Sequence, residues 1–316
     1  MNPVISESDS DQQLVLTGKI SRQTLITPFL RVANSLSKKA ARACSIFFLG
    51  EENRMLELAM RKAGIANVTY YTWKTRYRYL RNSYLRGAFT IKESVQVATA
   101  HHLALADRMR PDFLKRASGD GFFLWQHQAE DGRLYRIHLR YPYSYNFDGD
   151  LTFCMNCDGA DIYIVTVTIA PGKLVGLPAR NAILVSSIQG INGKIEHIRA
   201  ATESCNNVSP PNMLLAAIEA FALKLEIHDM VGIGRRRGRH VRGPEFDYSG
   251  FWQPLSGHED EREFYHIPLP FTDKPLESIQ AKHRSRARKR RELRNVIRQQ
   301  IIAGTELAMD ESILKK

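Results

Sequence analysis

Gln189, Gly190 and Gly193 follow the apolar run NAILVSSIQG (181–190) and precede the helical segment KIEHIRAATES (194–204). Glycines between a strand and a helix can leave backbone N–H groups free at the helix N-terminus, where a pyrophosphate binds well. With Lys194, this turn is the candidate cofactor site, although two glycines that merely make a tight turn are the simpler reading.

A second chemistry is carried by arginine. GRRRGRHVRG (234–243) supplies Arg235, Arg236, Arg237, Arg239 and Arg242 with no acid. KHRSRARKRRELRNVIR (282–298) packs nine Lys or Arg and a single Glu into 17 positions. Its Arg286, Arg288, Arg290 and Arg291 are, with the first five, the candidate anion-binding residues, because the guanidinium fork matches phosphate oxygens. In a helix these cations surround most of the cylinder, and pairs such as Arg286–Arg290 repel at i,i+4. An anionic partner, or acidic neighbours within the fold, would relieve that strain. RNA, DNA and anionic lipid headgroups all qualify as partners. No specific base-reading motif accompanies the cations, so any nucleic-acid binding is expected to tolerate sequence.

Other constellations carry less. GIGRRRG (232–238) places Arg237 where a dinucleotide loop needs its third glycine, and that reading is rejected. CMNC (154–157) has no second pair or nearby His to complete zinc ligation, and strand geometry points its two thiols to opposite faces. Buried thiols are expected, and no metal. His240, Arg242, Asp247 and Tyr248 could support acid–base work, but Phe246, Phe251 and Trp252 beside them favour a loop packed onto the domain. His101 and His102 read as core or boundary residues. The Tyr and Arg mixture at 73–86 reads as packing, with Arg stems over aromatics.

The elements that must position these residues follow from periodicity. Residues 1–20 are polar and expected to be disordered; 21–115 form a helical region; 116–305 form an α+β domain that includes the basic C-terminal helix; 306–316 are a tail. Within the second region, 121–128, 133–141, 150–157, 160–170 and 181–190 have the β-branched and aromatic content of strands. The helix NMLLAAIEAFALKLEI (212–227) follows Ser209, Pro210 and Pro211, a cap and two residues suited to a first turn. It leads to a short strand, DMVGIG (229–234). The last helix has a clear apolar stripe only at Leu293, Ile297 and Ile301. The expected class is therefore α+β: a mostly antiparallel, mixed sheet gains a crossover late in the chain.

The 316 residues carry a net charge of +12, and the two basic stretches account for it: outside them stand 31 basic and 32 acidic residues. Four cysteines do not suggest a disulfide framework. The N-terminus has no basic segment followed by an apolar one, and no window approaches 18 uninterrupted apolar residues, so neither a signal peptide nor a transmembrane segment is expected. A cytoplasmic protein is expected, with a peripheral position at the inner membrane as an extension of that reading.

Five collinear blocks carry a resemblance. YLRGAFTIKESVQVATAHHLAL (84–105), LVSSIQG (184–190), IRAATES with the following SPPNMLLAAIEAFALKLEI, RHVRGPEFDYSGFW (239–252) and KHRSRARKRREL (282–293) together resemble the VirK/YbjX family of bacterial proteins over roughly residues 25–300. The resemblance implies a Gram-negative accessory factor in virulence, linked to production or surface localisation of the outer-membrane protein VirG. It supplies no catalytic residues. A second, architectural resemblance joins the 181–234 region to the acyl-CoA half of GNAT-type acyltransferases, although Gly193 falls one place late and Lys194 replaces a small residue. Two functions follow: non-enzymatic docking of RNA or inner-leaflet lipid by the Arg clusters, with no cofactor required, or acyl-CoA-dependent acylation of an envelope component.

Overall fold

The computed structural model describes residues 48–65, 73–81, 83–118, 121–141, 148–234, 247–255 and 257–309. From Leu49 onward they belong to one compact unit. The expected disordered 1–20 segment and most of the 306–316 tail lie outside the described residues, as do Arg235, Arg236, Arg237, Arg239, His240 and Arg242.

Among the described residues, four helices precede the sheet: α1 (Gly50–Lys62), the short α2 (Trp73–Arg76), α3 (Ile91–Arg108) and α4 (Phe113–Ser118). The start of α3 is fixed by a reciprocal cap. Thr90 Oγ1 accepts from the Glu93 N–H, and the Glu93 carboxylate accepts from the Thr90 N–H, satisfying two groups that a helix end leaves unpaired.

Eight strands form one sheet: β1 (Phe122–Gln128), β2 (Leu134–Arg140), β3 (Leu151–Cys157), β4 (Ala160–Pro171), β5 (Asn181–Gly190), β6 (Asp229–Ile233), β7 (His258–Glu259) and β8 (Phe264–Pro268). Their order is β1-β2-β3-β4-β5-β6-β8-β7. Every neighbouring pair is antiparallel except β5–β6. That parallel pair needs a crossover, made by α5 (Ile195–Ser204) and α6 (Pro210–Lys224). The architecture is α+β with a mixed sheet, as the sequence implies. β3 is buried throughout and β4 nearly so, which explains their long apolar runs.

The two faces of the sheet are covered differently. Phe153 of β3 meets Phe221 of α6 edge to face, ring centroids 5.5 Å apart. Alternation sends Asp150 and Thr152 to the other face, where α3 packs on β4. Helix α6 is buried continuously from Met213 to Ala222, because α8 (Ala281–Glu306) lies against it. Helix α8 buries only Leu293, Ile297, Ile301 and Thr305, a four-residue stripe worth roughly 1.5–3 kcal/mol per large aliphatic. Its first three turns bury nothing, so the basic run is carried by a helix anchored farther along. A short helix, α7 (Tyr248–Trp252), precedes the β7–β8 hairpin.

Candidate anion-binding groove

The first turns of α8, the start of α6 and the segments 254–255 and 271–274 line a groove of about 540 Å³. Six basic side chains of α8 line it: His283, Arg286, Arg290, Arg291, Arg294 and Arg298. The i,i+4 repetition of 286, 290, 294 and 298 sets four of them in a row on one face. Of the four sequence-derived candidates on this helix, Arg286, Arg290 and Arg291 line the groove, while Arg288 is exposed and does not. Arg294 and Arg298 join them because the helix continues past the densest run of charge. Their i,i+4 register with Arg286 and Arg290 was the available signal.

The strain among like charges is relieved by the fold in part. Arg284 donates to the carbonyls of Leu276, Glu277 and Ile279. Asp273 pairs with Arg294 at 2.5 Å and with Arg291 at 3.6 Å, and Arg291 also bonds the Lys274 carbonyl. Arg298 donates at 2.6 Å to Glu219, which is fully buried on α6 and also accepts from the Phe271 N–H. Burial pushes the Glu219 carboxyl above its usual range, against the pull of Arg298. Arg286 and Arg290 have no acidic partner within 4 Å among the described residues, and Nε of Arg290 and Nε of Arg294 are buried without an acceptor. The groove therefore presents unspent guanidinium donors.

The turn after β5 is a different environment. Gln189 and Gly190 are exposed, and Gly193 adopts φ +75° with open space where a side chain would stand. Gly190 still pairs with Tyr163 in the ladder. The Ile191 N–H donates to Ile162 O and the Lys194 N–H to Ile191 O, so two donors of the expected cradle are already engaged. Glu196 places a negative charge in the first turn of α5, which disfavours an anion there. The strands beside the turn do separate. β5 and β6 pair only over Ile183–Val185 with Met230–Gly232, and β5 runs on to Gly190 after a bulge opposite Thr166/Val167. Beside the last pair, the Trp252 indole lies so close to Gly232 that a Cβ there would stand 2.3 Å away.

Two buried clusters escaped sequence reasoning. Asp150 accepts from Arg78 Nη1 at 3.0 Å, Tyr84 Oη at 2.7 Å and Thr168 Oγ1 at 3.0 Å. Its neighbour His101 accepts from the Ile169 N–H at Nδ1, which leaves the proton on Nε2. His102 bonds Ala98 O through Nδ1 and Tyr141 Oη through Nε2. Both histidines are thus core, as their sequence context suggests, and so are Arg78, Tyr79 and Tyr84 of the Tyr/Arg segment.

In the second cluster, His138, Cys154 and Asp161 on β2, β3 and β4 bring ligand-type atoms within 4.8 Å of one another. Arg140 Nε donates to His138 Nε2 at 2.8 Å, engaging the lone pair that a cation would use. Burial, then Asp161, push the Cys154 thiol well up, so it stays protonated. Cys157 bonds Asp158 instead; the CMNC thiols do not converge.

These features define an α+β protein with a mixed eight-stranded sheet and a guanidinium-lined groove between its crossover helix and its C-terminal helix. Residues 45–303 match the family described as "Protein of unknown function (DUF535)", and the chain belongs to it. The uncharacterised protein YbjX of Escherichia coli (strain K12) is 23% identical over 234 residues, covering 70% of this chain and 69% of that one. An uncharacterised protein of Haemophilus influenzae is 32% identical over 120 residues, 36% of this chain and 40% of that one. Among solved structures, a point mutant of a cAMP-binding acyltransferase from Mycobacterium smegmatis aligns at a TM-score of 0.30 with 9% identity, covering 65% of this chain and 61% of that one. No helix among the described residues is long and apolar enough to cross a membrane.

Proposed function

We propose that this protein binds a phosphate-bearing partner in the groove between α6 and α8, and acts through that contact as an accessory factor of the kind the VirK/YbjX resemblance implies, in support of an outer-membrane protein such as VirG. The observation that carries the reading is the set of arginines converging on one groove, with Arg286 and Arg290 lacking any acidic partner among the described residues. Hydrogen bonds to charged groups contribute about 1.5–3 kcal/mol each, and exposure of Arg286 lowers its share. Calorimetric titration with inorganic pyrophosphate at low salt tests it. Arg286→Gln with Arg290→Gln is expected to weaken binding at least tenfold, from about 1.4 kcal/mol or more, and to flatten its salt dependence. Arg288→Gln, outside the groove, is expected to leave the affinity within about twofold. Equal binding by the wild type and the double variant sinks the proposal.

A second reading keeps the turn after β5 as an acyl-CoA site with an envelope component as acceptor. The separation of β5 from β6 beyond Val185 supports it. The engaged N–H groups of Ile191 and Lys194, with Glu196 at the helix start, weigh against it. Saturable stabilisation by acetyl-CoA is the result that would raise it above the first.

A further inference from the structure

We infer that the ligand of the groove is a single-chain amphiphile with a phosphate head, a deepening that rests on the anion-binding reading above. The groove has two chemistries in its lining. α8 contributes the guanidinium row, whereas Val208, Leu215, Leu255, Phe271 and Ile279 contribute apolar side chains. Val208 and Leu215 are buried, whereas Leu255, Phe271 and Ile279 are half-buried. A purely ionic partner would leave these apolar side chains wet, and a purely apolar one would strip water from Arg286 and Arg290 without replacing it. A phosphate monoester on an alkyl or acyl chain satisfies both, with the head against Arg286 and Arg290 and the chain along Leu255, Phe271 and Ile279. The volume lies within the range of sites that enclose one small molecule, which favours one chain over a duplex laid across a flat surface. Asp273, held by Arg291 and Arg294, shares the lining.

The test is calorimetric titration of the full chain with inorganic phosphate and with butyl, hexyl and octyl phosphate, each below its micelle-forming concentration. Each methylene buried is expected to tighten binding about fourfold, the equivalent of ~0.8 kcal/mol, until the chain outruns the groove. Leu255→Asn with Ile279→Asn, both at partly exposed positions, is expected to flatten the chain-length series. Phosphate binding with no chain-length dependence overturns the amphiphile and leaves the anion site standing. The same flat series with tight binding of a short single-stranded RNA assigns the groove to nucleic acid. Binding of neither phosphate nor any alkyl phosphate removes this inference together with the reading on which it rests.

Discussion

Asp150→Asn is the sharpest perturbation of the frame that holds this fold together. Arg78 is 2% exposed and Asp150 is fully buried. Burial works against the Arg78 charge, and the Asp150 carboxylate, Tyr141 and Tyr84 together more than offset it. The asparagine keeps the shape but presents an amide donor where two hydroxyls and a guanidinium already donate. It also leaves Arg78 charged and uncompensated, with its Nε and Nη2 already lacking acceptors. Removing one partner of a buried pair costs about 3–5 kcal/mol. With a urea slope of about 3 kcal/mol per M, the unfolding midpoint at pH 7 should fall by roughly 1–1.7 M. Replacing Arg78 by Met in the same chain should recover part of the loss, since the stranded charge is then gone. A loss below about 1 kcal/mol for Asp150→Asn would refute the argument.

Acid acts on the same cluster with a defined sign. Burial raises the Asp150 carboxyl, but the fields of His101 and Arg78 and the Tyr84 hydrogen bond bring it down to about 2. Its stabilisation is complete above the unfolded value near 3.8 and is lost as pH falls through about 2. Burial likewise lowers His101 to about 3. Between 6.5 and 3 the unfolded chain binds a proton that the native His101 does not, so stability falls with pH across that window too. The urea midpoint should therefore decline steadily below pH 6.5. Asp150→Asn should lose the component between pH 3.8 and 2 and, by removing the charge that pulls His101 up, extend the His101 component to lower pH.

Acetyl-CoA titrated in a thermal-shift experiment at moderate salt should give no saturating shift if the turn is only a turn. A true ligand at a hundred times its dissociation constant adds about 2.7 kcal/mol, and a shift abolished by Gly190→Trp would make the acyltransferase reading the leading one. Thr90→Ala removes the hydroxyl that caps Glu93 and should cost about 1 kcal/mol in urea unfolding. No measurable loss would show that the cap does not hold the start of α3.

By itself the sequence determined the class of the fold, because the signals involved are local. The five strands from 121 to 190 are legible in β-branched and aromatic runs, and each lies within a residue or two of its observed span. Ser209 and the two prolines mark the start of α6, although the Ser209 hydroxyl accepts from the Asn212 side chain rather than capping a backbone N–H. The β7–β8 hairpin escaped notice: β7 is two residues long and β8 five, too short for alternation to register.

Only the tertiary structure decided what the basic helix faces. Spacing showed that Arg286 and Arg290 share a face, but nothing local reveals that Asp273 and Glu219 neutralise their successors. Those acids lie 21 and 79 residues from their partners. The buried Arg78–Asp150 pair, 72 residues apart, was hidden for the same reason. Charge is legible residue by residue, whereas its compensation depends on long-range packing. The function of a basic surface rests on which charges the fold leaves unpaired.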